Sequence, residues 1–147
     1  MNNIKKLLLP FLLVLFFTGS SFSQENVKQE TGKSIPSKLA VLWTSGDRDV
    51  ALKMVFMYTF YAKQKGWWQD IQFIVWGPSS KLLSEDKELQ DYIKKMKDEG
   101  VEIVACKACA DSYGVSGKLE DLGIEVKYMG VPLTEFLKSE KWKVVTF

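Results

Sequence analysis

Cys106 and Cys109 are the only thiols in the chain, and three positions separate them. A thiolate is a nucleophile toward disulfides, polysulfides and persulfides, and a second thiol at this spacing can reach the first. The pair follows Val101-Glu102-Ile103-Val104-Ala105, an apolar run that reads as a buried strand. If Lys107 begins a helix, Cys106 sits at that helix's positive end. Helix amides and a nearby lysine both favour thiolate over thiol. Three chemistries stay open for the pair. Cys106 could accept a sulfane sulfur and pass it on. The two could exchange disulfides, with Cys109 as the resolving thiol. Or they could be inert, although a disulfide closing so short a loop contributes only about 2 kcal/mol, against about 3 for a fifteen-residue loop. The chain has no histidine, so the commonest metal ligand is missing and a closed zinc site on the two cysteines would need carboxylates or a second subunit. No metal or cofactor is expected.

The elements that must position these thiols alternate between strand and helix. Lys38 to Trp43 is a nearly continuous apolar run, as in a strand covered on both faces. A helix is expected over residues 49–65, capped by Ser45 or Asp47 and stopped at Gly66. Its middle, Met54 to Ala62, lacks a polar stripe, which predicts that a subunit interface covers part of it, Phe56 included. A second strand spans residues 70–76. One helical turn at 81–83 and an amphipathic helix over 86–99 follow, the latter with Leu89, Ile93 and Met96 on one face. After the cysteines come a short helix from Ser116, its candidate cap, a fourth strand over 124–129, a last helix and a terminal strand over 143–147. The alternation predicts an α/β fold with a mainly parallel sheet and helices on both faces. Sites in such sheets form beyond the carboxyl ends of the strands. The turns expected there are Thr44 to Asp47, Gly77 to Ser79, Cys106 to Cys109 and Met129 to Pro132; around the two cysteines the pocket candidates are Thr44, Ser45, Gly46, Asp47, Gly77, Pro78, Lys107, Asp111 and Met129.

The 147 residues suffice for one domain, expected over residues 38–147 after a flexible lead-in at 24–37. Lys5 and Lys6, an apolar run from Leu7 to Phe17 and Ser21-Phe22-Ser23 read as a signal peptide over residues 1–23, cleaved before Gln24. The apolar run falls short of the roughly 20 residues of a membrane span, so no stable span is expected after cleavage. The expected location is therefore periplasmic or secreted, where a disulfide can persist. Removing Lys5 and Lys6 leaves basic and acidic residues equal in number, and Arg48 is the only arginine. That excludes nucleic acid as the expected partner.

The run from Lys38 to Phe147 resembles the DsrE family of small sulfur-handling proteins. The resemblance is carried by Thr44-Ser45-Gly46-Asp47, Val75-Trp76-Gly77-Pro78-Ser79, Gly100 to Asp111 around the cysteines, and Leu122-Gly123-Ile124-Glu125-Val126. It implies a three-layer α/β/α sandwich with a five-stranded parallel sheet, assembled as a homo-oligomer of three or six copies. It also implies a cysteine at Cys106 that carries sulfur as a persulfide, exchanged with a donor or acceptor protein or a small sulfur compound. Relay members of the family work in the cytosol. An exported chain with a second cysteine keeps two alternatives open: an extracytoplasmic thiol–disulfide protein using Cys106 and Cys109, and a non-catalytic oligomeric binding module with Trp43, Trp76 and Met129 around an apolar pocket.

Overall fold

Short apolar runs separated by helices fold most readily into a parallel sheet, because each helix carries the chain back to the start of the next strand. The computed structural model describes residues 37–147. The expected signal peptide, and the lead-in as far as residue 36, lie outside the described residues. Five strands form one sheet: β1 (Lys38–Trp43), β2 (Asp70–Val75), β3 (Glu102–Cys106), β4 (Glu125–Lys127) and β5 (Trp142–Thr146). Their order is β4-β3-β2-β1-β5, and every neighbouring pair is parallel. The expected fold class is the observed one. No described helix is long and apolar enough to cross a membrane.

The two faces of the sheet are covered very unequally. Leu39, Val41, Trp43, Ile71, Phe73, Val75, Ile103 and Ala105 point to one face and are buried in the main core. The helices over them are α1 (Arg48–Val50) running through a π-helical segment (Ala51–Phe56) into α2 (Met57–Gln64), then α3 (Pro78–Glu85), α4 (Lys87–Asp98) and α6 (Ser116–Asp121). Trp43, Phe56 and Phe73 form an edge-on cluster there, with Trp43 and Phe56 centroids 4.9 Å apart and Phe56 and Phe73 5.6 Å apart. The opposite face carries Ala40, Ile74, Val104 and Cys106. Its cover is α7 (Gly130–Lys138), through the half-buried Leu133 and Phe136. No residue of α7 is fully buried. The remaining helix, α5 (Lys107–Ser112), leaves β3 directly at the cysteines.

Several elements differ from their sequence reading for identifiable reasons. Phe56 lies wholly inside the chain's own core and cannot serve as an interface contact. The π-helical segment, with its i→i+5 hydrogen bonds, shifts the phase of the helix midway, so an α-helical period misassigns its faces. The apolar side chains left exposed there are Met54, Met57 and Tyr61. The expected single turn at 81–83 is the eight-residue α3, opened by Pro78 in its first turn. Its serines Ser79, Ser80 and Ser84 are buried rather than solvated. Ser116 does not cap α6. Its hydroxyl donates to Asp111 Oδ1 at 2.5 Å, and the capping position falls to Val115. β4 ends at Lys127, because its partner β3 ends at Cys106, the residue paired with Lys127.

Asp47 caps α1, accepting from the Val50 N–H at 3.0 Å. Asp86 caps α4, accepting from the Leu89 N–H at 3.1 Å, and its second oxygen accepts from Arg48 Nε at 2.7 Å. Arg48 also pairs with Glu88, so the only arginine ties the start of one helix to the start of another. The Leu89 N–H first, and the guanidinium after it, hold the Asp86 carboxyl below the usual carboxylate range. Asp86→Ala should lower stability by about 1 kcal/mol in urea denaturation at neutral pH. A carboxylate with a depressed folded-state pKa stabilises fully above its unfolded value and loses that contribution as pH falls through the folded one. The gap between wild type and variant should therefore hold at neutral pH and narrow below about pH 4.

Candidate functional site

Side chains alternate along a strand, so the last residue of β3 is assigned to a face by its distance from the others. Ala105 follows Ile103 into the main core, and Cys106 follows Val104 to the thinly covered face. Cys106 is 3% exposed and packs with Ala40, Ile74, Val104 and Met129. It is also the residue that precedes the first turn of α5, with extended backbone angles. α5 then turns Cys109 back toward Cys106, and the two thiol groups meet. Both are free, and Cys109 is only half buried. The sequence reading made Cys106 the principal thiol. The structure makes Cys109 the one that solvent can reach.

The surroundings of Cys109 act on it in opposite directions. Burial pushes its thiol up, the Gly77 N–H directed at its sulfur pulls it down, and the neighbouring Cys106 pushes it up again; the net direction is up. Gly77 is placed by an unusual backbone, φ 67° and ψ −135°, which in practice only glycine adopts. Ser79 holds that turn. Its fully buried hydroxyl lies 2.7 Å from the Trp43 carbonyl and 3.0 Å from that of Trp76, and accepts from the Trp76 N–H at 3.0 Å. One side chain thus ties the end of β1 to the end of β2. The sequence reading placed Ser79 in the turn after β2 but gave it no role. The available signal was a serine directly after Gly77-Pro78, where a hydroxyl in the first helical turn can reach free backbone groups.

The other expected site residues divide into those near the thiols and those that build the frame. Met129 is buried against Cys106. The Lys107 ammonium binds both oxygens of Asp111, at 2.9 and 3.1 Å, so it is committed to its own helix. The Ser116 hydroxyl and then Lys107 hold the Asp111 carboxyl down, and Asp111 in turn raises Lys107. Thr44 serves the terminal strand: its N–H and hydroxyl donate to the Phe147 carbonyl, at 2.8 and 2.7 Å. The Ser45 N–H donates to the same carbonyl at 3.2 Å, and the Ser45 hydroxyl accepts from Asp47 N. Gly46 runs tight against Pro78, where an added Cβ would lie 3.2 Å from the proline Cβ. Gly46 and Pro78 line an open cleft of about 320 Å³ with Lys81, Leu82, Glu85 and Tyr113, and neither cysteine lines it. Trp43 lies on the opposite face of the sheet from Trp76 and Met129, so the three do not surround one pocket. Among the described residues no cluster of acidic or thiol side chains has the form of a metal site.

The arrangement therefore sets one sulfur buried among apolar side chains beside a second that is half exposed. Gly77→Ala tests the turn that shapes this site. An added methyl would meet nothing within 4 Å, so the cost is that of the backbone alone. Stability should fall by about 1–3 kcal/mol. Displacement of the Gly77 N–H should also push the Cys109 thiol higher, so Cys109 should alkylate more slowly at neutral pH than in wild type.

Comparison with known proteins gives a consistent picture. The model of the DsrE/DsrF-like family matches residues 37–147. A solved structure from Bacteroides thetaiotaomicron, the conserved protein of unknown function BT1422, is 40% identical with a TM-score of 0.72, over 76% of this chain and 95% of that one. The crystal structure of the YchN protein from E. coli has a TM-score of 0.55 over 76% of this chain and 98% of that one. At 15% identity that likeness concerns the fold alone. No curated protein matches the chain.

Proposed function

The chain belongs to the DsrE/DsrF-like family, which includes sulfur-relay proteins, and from that premise we propose that it is a sulfur carrier holding a persulfide on Cys106. The observation that carries the reading is the burial of Cys106 in an apolar recess at the carboxyl end of β3, in contact with a second free thiol. A persulfide needs a thiol to form on and shelter from reductants, and the recess offers both. Loading requires no cofactor. A thiolate attacks a polysulfide chain, takes its terminal sulfur and releases a chain one atom shorter. Delivery is the reverse type of step, with an acceptor thiolate attacking the outer sulfur.

Reduced protein treated with inorganic polysulfide, then freed of excess reagent, should hold one cyanide-reactive sulfur per chain. Lys107 lies between the cysteines, so trypsin separates them. The added sulfur mass should rest on the peptide that ends at Lys107. Protein that takes up no sulfur, or holds it only elsewhere, would overturn the carrier reading.

We also propose that the chain works outside the cytosol, on the pattern of Lys5, Lys6 and the apolar run after them, and that it self-associates. The support for assembly is Met54, Met57 and Tyr61, three large apolar side chains exposed along one stretch of helix. Wild type should sediment as an oligomer, and Met57→Lys should shift it toward monomer with its melting temperature little changed. A monomeric wild type at micromolar concentration would remove the proposal.

A further inference from the structure

The two thiols differ in access, and that difference sets an order of events. Cys106 is buried in a cluster with Ala40, Ile74, Val104 and Met129, and Cys109 packs against that cluster. Substitution at sulfur needs a donor sulfur in line with the bond it breaks, so the nucleophile must offer an open side. Cys106, at 3% exposure, offers none to a donor in solution. Cys109 is half buried, with one side on the Cys106 cluster and the other open.

We propose that Cys109 is the entry thiol and Cys106 the store, so that sulfane sulfur lands first on Cys109 and passes to Cys106 within the chain. The inference rests on the carrier reading above and adds the route. The donor class is a low-molecular-weight polysulfide, whose terminal sulfur can approach the half-exposed Cys109 without a docked partner. In the first step the Cys109 thiolate attacks the end of the chain. A bond forms between Cys109 Sγ and the terminal sulfur, and the shortened polysulfide leaves with the electron pair. In the second step the outer sulfur, carried as the perthiol, is attacked by the Cys106 thiolate. The bond to Cys109 breaks, the bond to Cys106 forms, and the proton stays on the transferred sulfur. Cys109 departs as thiolate, and no net oxidation occurs. The Gly77 N–H serves both steps at one atom, because it favours a charged Cys109 sulfur as nucleophile and then as leaving group. Burial still holds the Cys109 thiol above the ordinary cysteine range. The loading rate should therefore rise about tenfold per pH unit across neutrality, in step with the thiolate fraction.

The test is a rapid-quench time course of reduced full-length protein with limiting inorganic polysulfide, followed by alkylation, trypsin and mass analysis of both cysteine peptides. In wild type the sulfur mass should appear first on the peptide beginning at Ala108 and then move to the peptide ending at Lys107. Cys106→Ser should keep its sulfur on Cys109. Cys109→Ser, melting as wild type does, should load Cys106 at least about tenfold more slowly, because direct access is blocked. Sulfur on Cys106 from the earliest time in wild type, or wild-type loading in Cys109→Ser, overturns the entry role and leaves the carrier reading standing. Sulfur that never reaches Cys106 in wild type overturns both. If Cys109→Ser fails to fold, the wild-type time course decides alone.

Discussion

A strand presents its side chains alternately to two faces, and the face given to its last residue is fixed by those before it. In β3 this rule sends Ile103 and Ala105 into the thick, helix-covered core and Val104 and Cys106 to the other side. The chemistry of the molecule depends on that parity. A one-residue slip would drive Cys106 into the main core and bring Ala105 to the thin face. Pairing in register with β2 on one side and β4 on the other opposes such a slip. The unequal cover of the sheet then gives the parity its consequence, because the face that carries Cys106 is the one covered by α7, none of whose residues is fully buried.

The turns at the carboxyl ends of the strands divide their work. Most of their polar groups close the fold rather than face a ligand. Thr44 and Ser45 take up the Phe147 carbonyl, Asp47 caps a helix, and the Ser79 hydroxyl joins Trp43 to Trp76. Such groups would otherwise be unpaired where strands end, at a cost of about 1–3 kcal/mol for each buried one. Their commitment holds the Gly77 turn still. A backbone N–H cannot be swung aside by a rotamer change, so its aim at the Cys109 sulfur is as rigid as the turn that carries it.

The fold was largely legible in the sequence because a parallel sheet writes itself twice: as continuous apolar runs in Leu39 to Trp43 and Ile71 to Val75, and as amphipathic period in Leu89, Ile93 and Met96. What blurred was whatever depends on partners distant in sequence. The length of β4 is set by the end of β3. The failure of Ser116 as a cap is set by the Asp111 carboxylate. The faces of the helix through Phe56 are set by a π-helical segment that has no simple residue signature. At the site, the nearness of the two thiols follows from their spacing. Which of them is buried does not, since it depends on how α5 leaves the sheet and on Met129, contributed from beyond β4.

The second thiol, which the sequence leaves as a puzzle, has a physical place beside a carrier. A persulfide on Cys106 is threatened by attack of Cys109 on its inner sulfur, which would close a disulfide and expel hydrosulfide. That attack requires Cys109 as thiolate. Burial and the adjacent sulfur push its thiol up, which disfavours the thiolate, and a thiol is a poor nucleophile. On the proposed carrier reading, desolvation of one thiol would preserve the cargo of the other. The same desolvation makes Cys109 slow to load, so retention is obtained at the expense of speed. A site built for rapid disulfide exchange would share this access pattern, an exposed thiol beside a buried partner, but with the exposed thiol's pKa depressed. The pair here is buried first and half exposed second, and its reachable thiol is pushed up rather than down. On the proposed carrier reading, that direction suits holding sulfur rather than trading electrons.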